Sequence, residues 1–532
     1  MRSLISLIIA SFLSFTSLAQ ASFSSYDWDE ATYDTAIERF SDESTIILFE
    51  KNFIEFFYDT DDSFREINIT HVKAQLNSDD AISAYNTIYL PISTDEKEVI
   101  SQKTRVINKN GSVKELDKSA IKIKKDEETG KIYKYFAVEG IEKESQIEFF
   151  FVVKKAANYN GGIYQYQEED PIQNVHFTLQ CPEDIFFTFK PLNNAPEPAL
   201  DSTGDANIYT FTDSLITKLE HEDFSNYRAN LKQIHYKIDK IVRNNRVQRN
   251  LINYGDFSQN FYALIYKDIS KSEERSLKKI LKKIDVQDEE SQREKIFKIE
   301  DYIKKNISIN SRGSSDISEG YSRKIMTEIG FIRTMANCFK KLDINHELVI
   351  TSDRTEIEFL DDFDSYIFLQ ESLLYFPELD EYIIPSKQFY RLGLIPHSFI
   401  HNKGLFIKEV SVAGYTTGSN EIKMIHAPSK DKAYSKMYLN VSFKEDDLSK
   451  IIIDCTNESF GYSAMSSQPY FELLDEKTTR ELQEELIKFM SSDAEILSME
   501  YTNTSIEDLG KRPLIGVAEI EASDLVEIAG DK

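Results

Sequence analysis

Short apolar and alternating runs fill the first half of the chain. Ile46-Ile47-Leu48-Phe49, Ile67-Asn68-Ile69-Thr70 and Val72-Lys73-Ala74-Gln75-Leu76 have the uniform or period-two texture of strands. Thr104 to Ile107 runs into Asn108-Lys109-Asn110-Gly111, where Asn-Gly supplies the positive φ of a hairpin turn. Ile147 to Val153, Tyr164 to Tyr166 and Val175 to Leu179 continue the pattern, and Asn193 to Asp205, rich in Pro, Asn and Gly, reads as a loop. Many short strands with turn signals predict a β-sandwich-like domain over residues 44–240. A polar lead-in over 22–44 carries the only tryptophan, Trp28.

The period changes after about Phe257. Ser276-Leu277-Ile280-Leu281-Ile284 and Ile296-Ile299-Tyr302-Ile303 have helical spacing. Ser311 to Ser315 reads as a loop. Met326 to Leu342 predicts a helix with Ile329, Ile332, Met335, Ala336 and Phe339 on one face. Glu347 to Thr351, Ser365 to Leu369 and Tyr382 to Ile384 read as extended, the last ending at Pro385. A helical half followed by strands over 257–412 is an α+β order. From 430 to 532 the pattern is mainly β again, with Met437 to Phe443 and Ile451 to Asp454 as strands and Lys477 to Met490 as a helix. The fold class is therefore multi-domain α+β. At 532 residues the chain is too long for one core.

Arg2 is followed by an uncharged apolar run from Leu4 to Leu18 and by small-residue sites ending at Ala19 and Ala21. This is the pattern of a secretory signal peptide over residues 1–21, too short and hydroxyl-rich for a membrane anchor. It predicts a periplasmic or secreted protein. No later run is apolar enough to span a bilayer. The formal charge of −27, from 63 basic and 90 acidic residues, becomes −28 once Arg2 is removed. Such a field repels nucleic acid and anionic lipid. The lysines Lys278, Lys279, Lys282 and Lys283 are followed by Asp285, Asp288, Glu289 and Glu290, as on a solvated amphipathic helix.

Cys181, Cys338 and Cys455 are too sparse for a disulfide framework and leave one possible bridge open. Buried single thiols are the expected state. Metal-type spacing is lacking; His397 and His401 are four apart, but Pro396 and Gly404 bracket them. No cofactor or metal is expected.

One longer resemblance connects these segments. Asn110 to Leu116, Phe136 to Ile141, Ile147-Glu148, Asp170-Pro171-Ile172 and Cys181-Pro182 come first. Lys295 to Ile307, Thr327-Glu328-Ile329 through Val349, Tyr382 to Ser386 and Gly393-Leu394-Ile395-Pro396 follow. In this order they resemble a family of exported bacterial proteins with an N-terminal β domain of unknown function, a transglutaminase-like domain and a C-terminal β domain. The resemblance implies a papain-type central fold. Its chemistry would need a Cys at a helix N-terminus, a His on a following strand and an Asp on the next. The helix end favours a thiolate, the His moves the proton and the Asp orients the His. The family's Gly-x-Cys-x-Asp falls on Lys324 to Glu328, its Phe-Asn-His on Phe363-Asp364-Ser365, and its Leu-Asp-Pro-Thr on Ile383 to Ser386. Met326, Ser365 and Ile384 therefore stand at the three catalytic positions, and none has the chemistry. Cys338 lies about three turns further along the helix.

Glu328 and Asp361-Asp362 could supply a glycosidase pair, but in a chain with 90 acids a solvated surface is the simpler reading. The expected function is a non-catalytic exported protein. Its degenerate domain, or the edge of a flanking β domain, serves as a scaffold or binding module for a peptide, a cell-wall fragment or a glycan. The alternatives are an active cysteine-dependent transferase or protease on envelope amide bonds, and a structural subunit of an envelope assembly. In the resembling family a stretch like Val526 to Lys532 is followed by further sequence, which leaves open a shortened chain or an incomplete last β domain.

Overall fold

The computed structural model describes residues 26–527, apart from 27, 29, 95–96, 117–118, 120, 127–130, 203, 224, 245, 413, 489–490 and 492. The predicted signal peptide, with Arg2, Leu4 to Leu18, Ala19 and Ala21, lies outside the described residues, as do residues 528–532. The described chain is multi-domain and α+β, rich in strands. Contacts gather it into two units. One holds the chain to Ile252 together with Ser365–Ile367, and the other holds Asn253–Asp364 and Phe368–Lys532.

The first unit is built on an eight-stranded sheet. Its strands are β1 (Thr45–Tyr58), β2 (Phe64–Leu76), β3 (Lys97–Ile107), β4 (Val113–Leu116), β5 (Gln146–Ala156), β6 (Ile172–Pro182), β7 (Ala199–Asp201) and β8 (Ala206–Ile216). They lie in the order β7-β8-β6-β1-β2-β5-β3-β4. β1 and β6 run parallel and the other pairs antiparallel. The runs at Ile67 and Val72 join into the single strand β2. The Asn108–Gly111 turn closes the β3–β4 hairpin, with Gly111 at φ 82°. The expected loop over Asn193 to Asp205 contains β7, because a three-residue edge strand tolerates the prolines that precede it. A four-stranded and a three-stranded sheet share the main core. There Tyr164, Tyr166, Phe177 and Phe211 stack with ring centroids 5.0 to 6.3 Å apart.

The second unit begins with helices α1 (Tyr254–Tyr266), α2 (Lys271–Ile284), α3 (Gln292–Asn306), α4 (Ile317–Arg323) and α5 (Glu328–Lys341). Ser270 and Ser291 form capping boxes with Glu273 and Glu294 at the starts of α2 and α3. β9 (Ser308–Ser314) pairs with β10 (Ile325–Met326). A five-stranded antiparallel sheet follows, from β11 (Glu347–Thr351), β12 (Glu371–Phe376), β13 (Glu381–Ile383), β14 (Lys403–Val412) and β15 (Tyr415–Met424), in the order β13-β12-β11-β14-β15. A four-stranded sheet comes last, from β16 (Tyr434–Lys444), β17 (Asp447–Phe460), β18 (Glu495–Thr502) and β19 (Leu514–Ala522), in the order β16-β17-β19-β18, with helix α6 (Glu476–Lys488) between β17 and β18 in sequence. Leu394 packs with Ala464, Leu509 and Leu514, tying this sheet's surroundings to the middle of the chain.

Three boundaries differ from the sequence pattern. Ser311 to Ser315 is mostly strand, because Gly313 lets β9 approach the Met326 backbone; a Cβ there would lie 2.2 Å from the Met326 carbonyl carbon. α5 starts at Glu328 rather than Met326, since the Thr327 hydroxyl accepts the Gly330 N–H at 3.2 Å and takes the cap that a methionine cannot. Tyr366–Phe368 is a single 3-10 turn burying Phe368, although its apolar run reads as a strand.

Candidate functional site

Helix α5 presents the N-terminus at which a thiolate would be stabilised. Met326 lies immediately before the capping residue and is fully buried. Its Sδ lies 3.3 Å from the Thr334 hydroxyl oxygen, whose proton goes to the Gly330 carbonyl at 2.7 Å. A Cβ on Gly320 would meet Met326 Cγ at 2.4 Å, so the missing side chain at Gly320 is the space the thioether fills. A neutral methionine needs no stabilised charge, and the first turn is satisfied by its own Thr327.

Ile384 follows β13 and is fully buried among Val349, Leu373, Tyr382, Ile395, Phe399 and Phe406. The chain there is held by its backbone. Lys304, wholly buried on α3, donates to the Ile384 carbonyl at 2.9 Å, the Tyr390 carbonyl at 2.7 Å and Glu300 at 2.9 Å. Burial pushes the Lys304 ammonium down to about 8, although Glu300 opposes the shift. Ser365 is buried too, but its hydroxyl donates to the Asn160 carbonyl at 2.9 Å, and Ser365–Ile367 group with the first unit. Met326 and Ile384 fall in the same unit but not in the same packed cluster.

The three cysteines are free and buried. Burial pushes the Cys338 and Cys181 thiols each up to about 12 and raises Cys455. Glu328 sits in the first turn of α5, raised by burial and then by Glu371, with Lys387 opposing. Asp361 is paired with Lys403 at 2.7 Å. Among the described residues no group of three or more His, Cys, Asp or Glu could hold a metal ion.

A second candidate site lies in the first unit, beneath the lead-in. Register places Lys73 on β2 and Arg105 on β3 on either side of Glu148 on β5, with His71 two residues before Lys73. All four are almost completely buried. His71 Nε2 meets Glu148 at 2.7 Å, and Arg105 Nε donates to its other oxygen at 2.9 Å. With Nε2–H given to Glu148, His71 Nδ1 accepts the Tyr26 hydroxyl at 3.1 Å. The lead-in is bound by the same cations. Lys73 donates to the Thr32 carbonyl at 2.7 Å and to Asp34 at 2.6 Å, and Arg105 donates to the Glu30 carbonyl at 2.7 Å. Trp28 covers the Arg105 guanidinium at 4.2 Å. Burial lowers the His71 pKa against the pull of Glu148. Burial works against the Glu148 charge, but the hydrogen bonds of His71 and Arg105 and the field of Lys73 hold its carboxyl below its ordinary value.

Beside this network is a cavity of about 480 Å³. Trp28 and Phe49 supply aromatic walls, the buried charges the floor, and Lys51, Gln173, Asn174 and His176 further polar groups. Lys51 lies 4.6 Å over the Phe49 ring. Such a chamber can hold a polar molecule with one apolar face: rings stack on the face while amides and an ammonium orient the polar edge. The sequence pattern did not single out this site. Its signal was present as Lys73 and Glu148, charges inside runs otherwise fit for a core.

Residues 63–220 match the family model of a domain of unknown function with solved structures, DUF3857. That domain is present, within the first unit. No curated protein matches the chain. Among solved structures, a protein of Parabacteroides distasonis ATCC 8503, named provisionally as a protease, is similar over 90% of this chain and 93% of its own, at 11% identity and a TM-score of 0.48. A mutant two-domain M1 zinc metallopeptidase bound to L-tryptophan is similar over 43% of this chain and 55% of its own, at 6% identity and a TM-score of 0.22. Likenesses this distant carry no argument about fold or chemistry.

Proposed function

We propose that this chain is an exported, non-catalytic protein whose central region is a degenerate transglutaminase-like domain kept as a scaffold, and that it binds a peptide, a cell-wall fragment or a glycan. The observation that carries the non-catalytic reading is the N-terminus of α5. The position for a thiolate is packed with the Met326 thioether, and the nearest thiol in sequence, Cys338, lies deep in the helix with its pKa pushed far above neutrality. A thioether cannot be deprotonated, and Ile384 can orient no imidazole. The charged cavity of the first unit is the binding site that fits this role, because it joins ring faces to a polar rim. Export rests on the Leu4 to Leu18 run and the sites at Ala19 and Ala21.

Binding is tested by screening the purified chain on glycan and peptide arrays and against soluble peptidoglycan fragments. The proposal expects a saturable ligand whose binding quenches or shifts Trp28 fluorescence and is weakened by Lys51→Ala. Screens without a specific hit favour the structural-subunit reading.

A further inference from the structure

The groups around the cavity of the first unit divide unevenly between acceptors and donors. Its buried acceptors are spent inside the protein. The two Glu148 oxygens take His71 and Arg105, Asp34 takes Lys73, and His71 Nδ1 takes the Tyr26 hydroxyl. Gln173 Oε1 accepts the Ile37 N–H at 3.1 Å. The one other acid of the lining, Glu30, is exposed to solvent.

What is left over is donor character. Lys51 makes no ion pair with any described residue. Its ammonium rests over the Phe49 ring, two positions away on the same face of β1. A ring face offsets part of that charge but supplies no oxygen. The bond to Ile37 fixes the Gln173 amide and leaves its Nε2 pointing away from that N–H with protons to give. The Trp28 indole N–H, buried in the same wall, has no acceptor among the described residues. The field has the same sign. Burial is the main cause that lowers the pKa of both His71 and His176, and the Lys51 charge lowers each further. Two imidazoles on different strands, β2 and β6, therefore feel one ammonium. Lys73 and Arg105 are neutralised by Asp34 and Glu148, so Lys51 is the cation left to meet a ligand.

A single ammonium beside an amide suits a monoanion. A phosphate or sulfate dianion would face Asp34 and Glu148 with one cation too few. A carboxylate brings one charge and acceptor oxygens for both Lys51 and Gln173. We propose that the ligand of this cavity is a small carboxylate, held by Lys51 and the Gln173 amide, with the rest of its body against the aromatic walls. This rests on the reading of the cavity as the binding site, and it narrows peptide, cell-wall fragment and glycan to those with a free carboxyl group.

The full chain is titrated by calorimetry with pairs of compounds that differ in one carboxyl: N-acetylmuramic acid and N-acetylglucosamine, galacturonate and galactose, and acetyl-alanyl-alanine as acid and as amide. Lys51→Gln and Lys51→Arg are titrated alongside. The proposal expects one acid to bind about tenfold or more tightly than its neutral counterpart. That preference should vanish in Lys51→Gln, return in Lys51→Arg and shrink as salt is raised. The pair that shows it identifies the source of the carboxylate. If Lys51→Gln misfolds, the acid-to-neutral ratio of wild type and its salt dependence decide. Equal binding of acid and neutral compounds, or a preference that survives in Lys51→Gln, overturns the carboxylate and leaves the cavity as a site. Failure of all six compounds beside a saturable array hit also overturns the carboxylate alone; failure of the six and of the arrays removes the cavity reading with it.

Discussion

At the residue scale, the buried charges of the first unit make the sharpest predictions. Glu148 is the hub that compensates Arg105 and lies 3.8 Å from Lys73. Removing one partner from a buried charged network costs about 3–5 kcal/mol, because the remaining charge stays desolvated. Glu148→Gln is therefore expected to lower the unfolding free energy of the first unit by about 3 kcal/mol in urea, read by Trp28 fluorescence; a change within experimental error would show that the network carries no stability. The pH dependence has a definite sign. His71 and Glu148 both have folded pKa values below their unfolded ones, so each contributes stability that is full above the unfolded value and lost as pH falls through the folded one. The loss starts below about 6.5 for His71 and below about 4.5 for Glu148. Trp28, the only tryptophan, touches His71 at a ring distance of 5.4 Å and reports the event directly. Acid titration should shift its emission in two stages, and His71→Gln should remove the upper one. A single transition centred on 4.5 in both proteins would assign no role to His71.

At the element scale, the packing around the start of α5 depends on glycine. A Cβ on Gly330 would lie 2.3 Å from the Ser314 carbonyl oxygen, a backbone atom that cannot turn aside. Gly330→Ala is expected to destabilise the second unit by about 1–3 kcal/mol, the usual cost of overpacking, although alanine is the better helix former. A neutral or stabilised variant in chemical denaturation would mean that β9 and α5 are not held this closely. Element identities were legible where periodicity was long. α2, α3, α5 and α6 and the strands β1, β2, β5, β11 and β16 follow from apolar spacing alone. The rest was obscured by tertiary effects. α1 buries Tyr254, Phe261, Tyr262 and Ile265 but mixes them with Gly, Asn and Gln. β9 is polar apart from Ile309 and Gly313, and exists through its pairing with β10. The positions Met326, Ser365 and Ile384 were nameable from a motif, but their surroundings were not: no pattern foretells that the Ser365 hydroxyl donates to the Asn160 carbonyl. The charged cavity was missed because a Lys and a Glu on separate strands become one site only through register.

At the scale of the whole molecule, export and loss of catalysis are separate claims with separate evidence. Export predicts that N-terminal sequencing of the protein recovered from outside the cytoplasm begins at Gln20 or Ser22; a start at Met1 in the mature protein would remove the periplasmic or secreted assignment. Loss of catalysis is the central claim, and thiol alkylation of the folded chain is its most direct test. A thiol held near 12 is ionised in fewer than about one molecule in ten thousand at pH 7.5, and each of the three cysteines is also buried. Native protein treated briefly with iodoacetamide and read by mass spectrometry should therefore show Cys181, Cys338 and Cys455 unmodified, while the urea-unfolded chain reacts at all three. Rapid modification of a single cysteine in the folded protein, rising with a pKa below 8, would contradict the account and restore a cysteine enzyme.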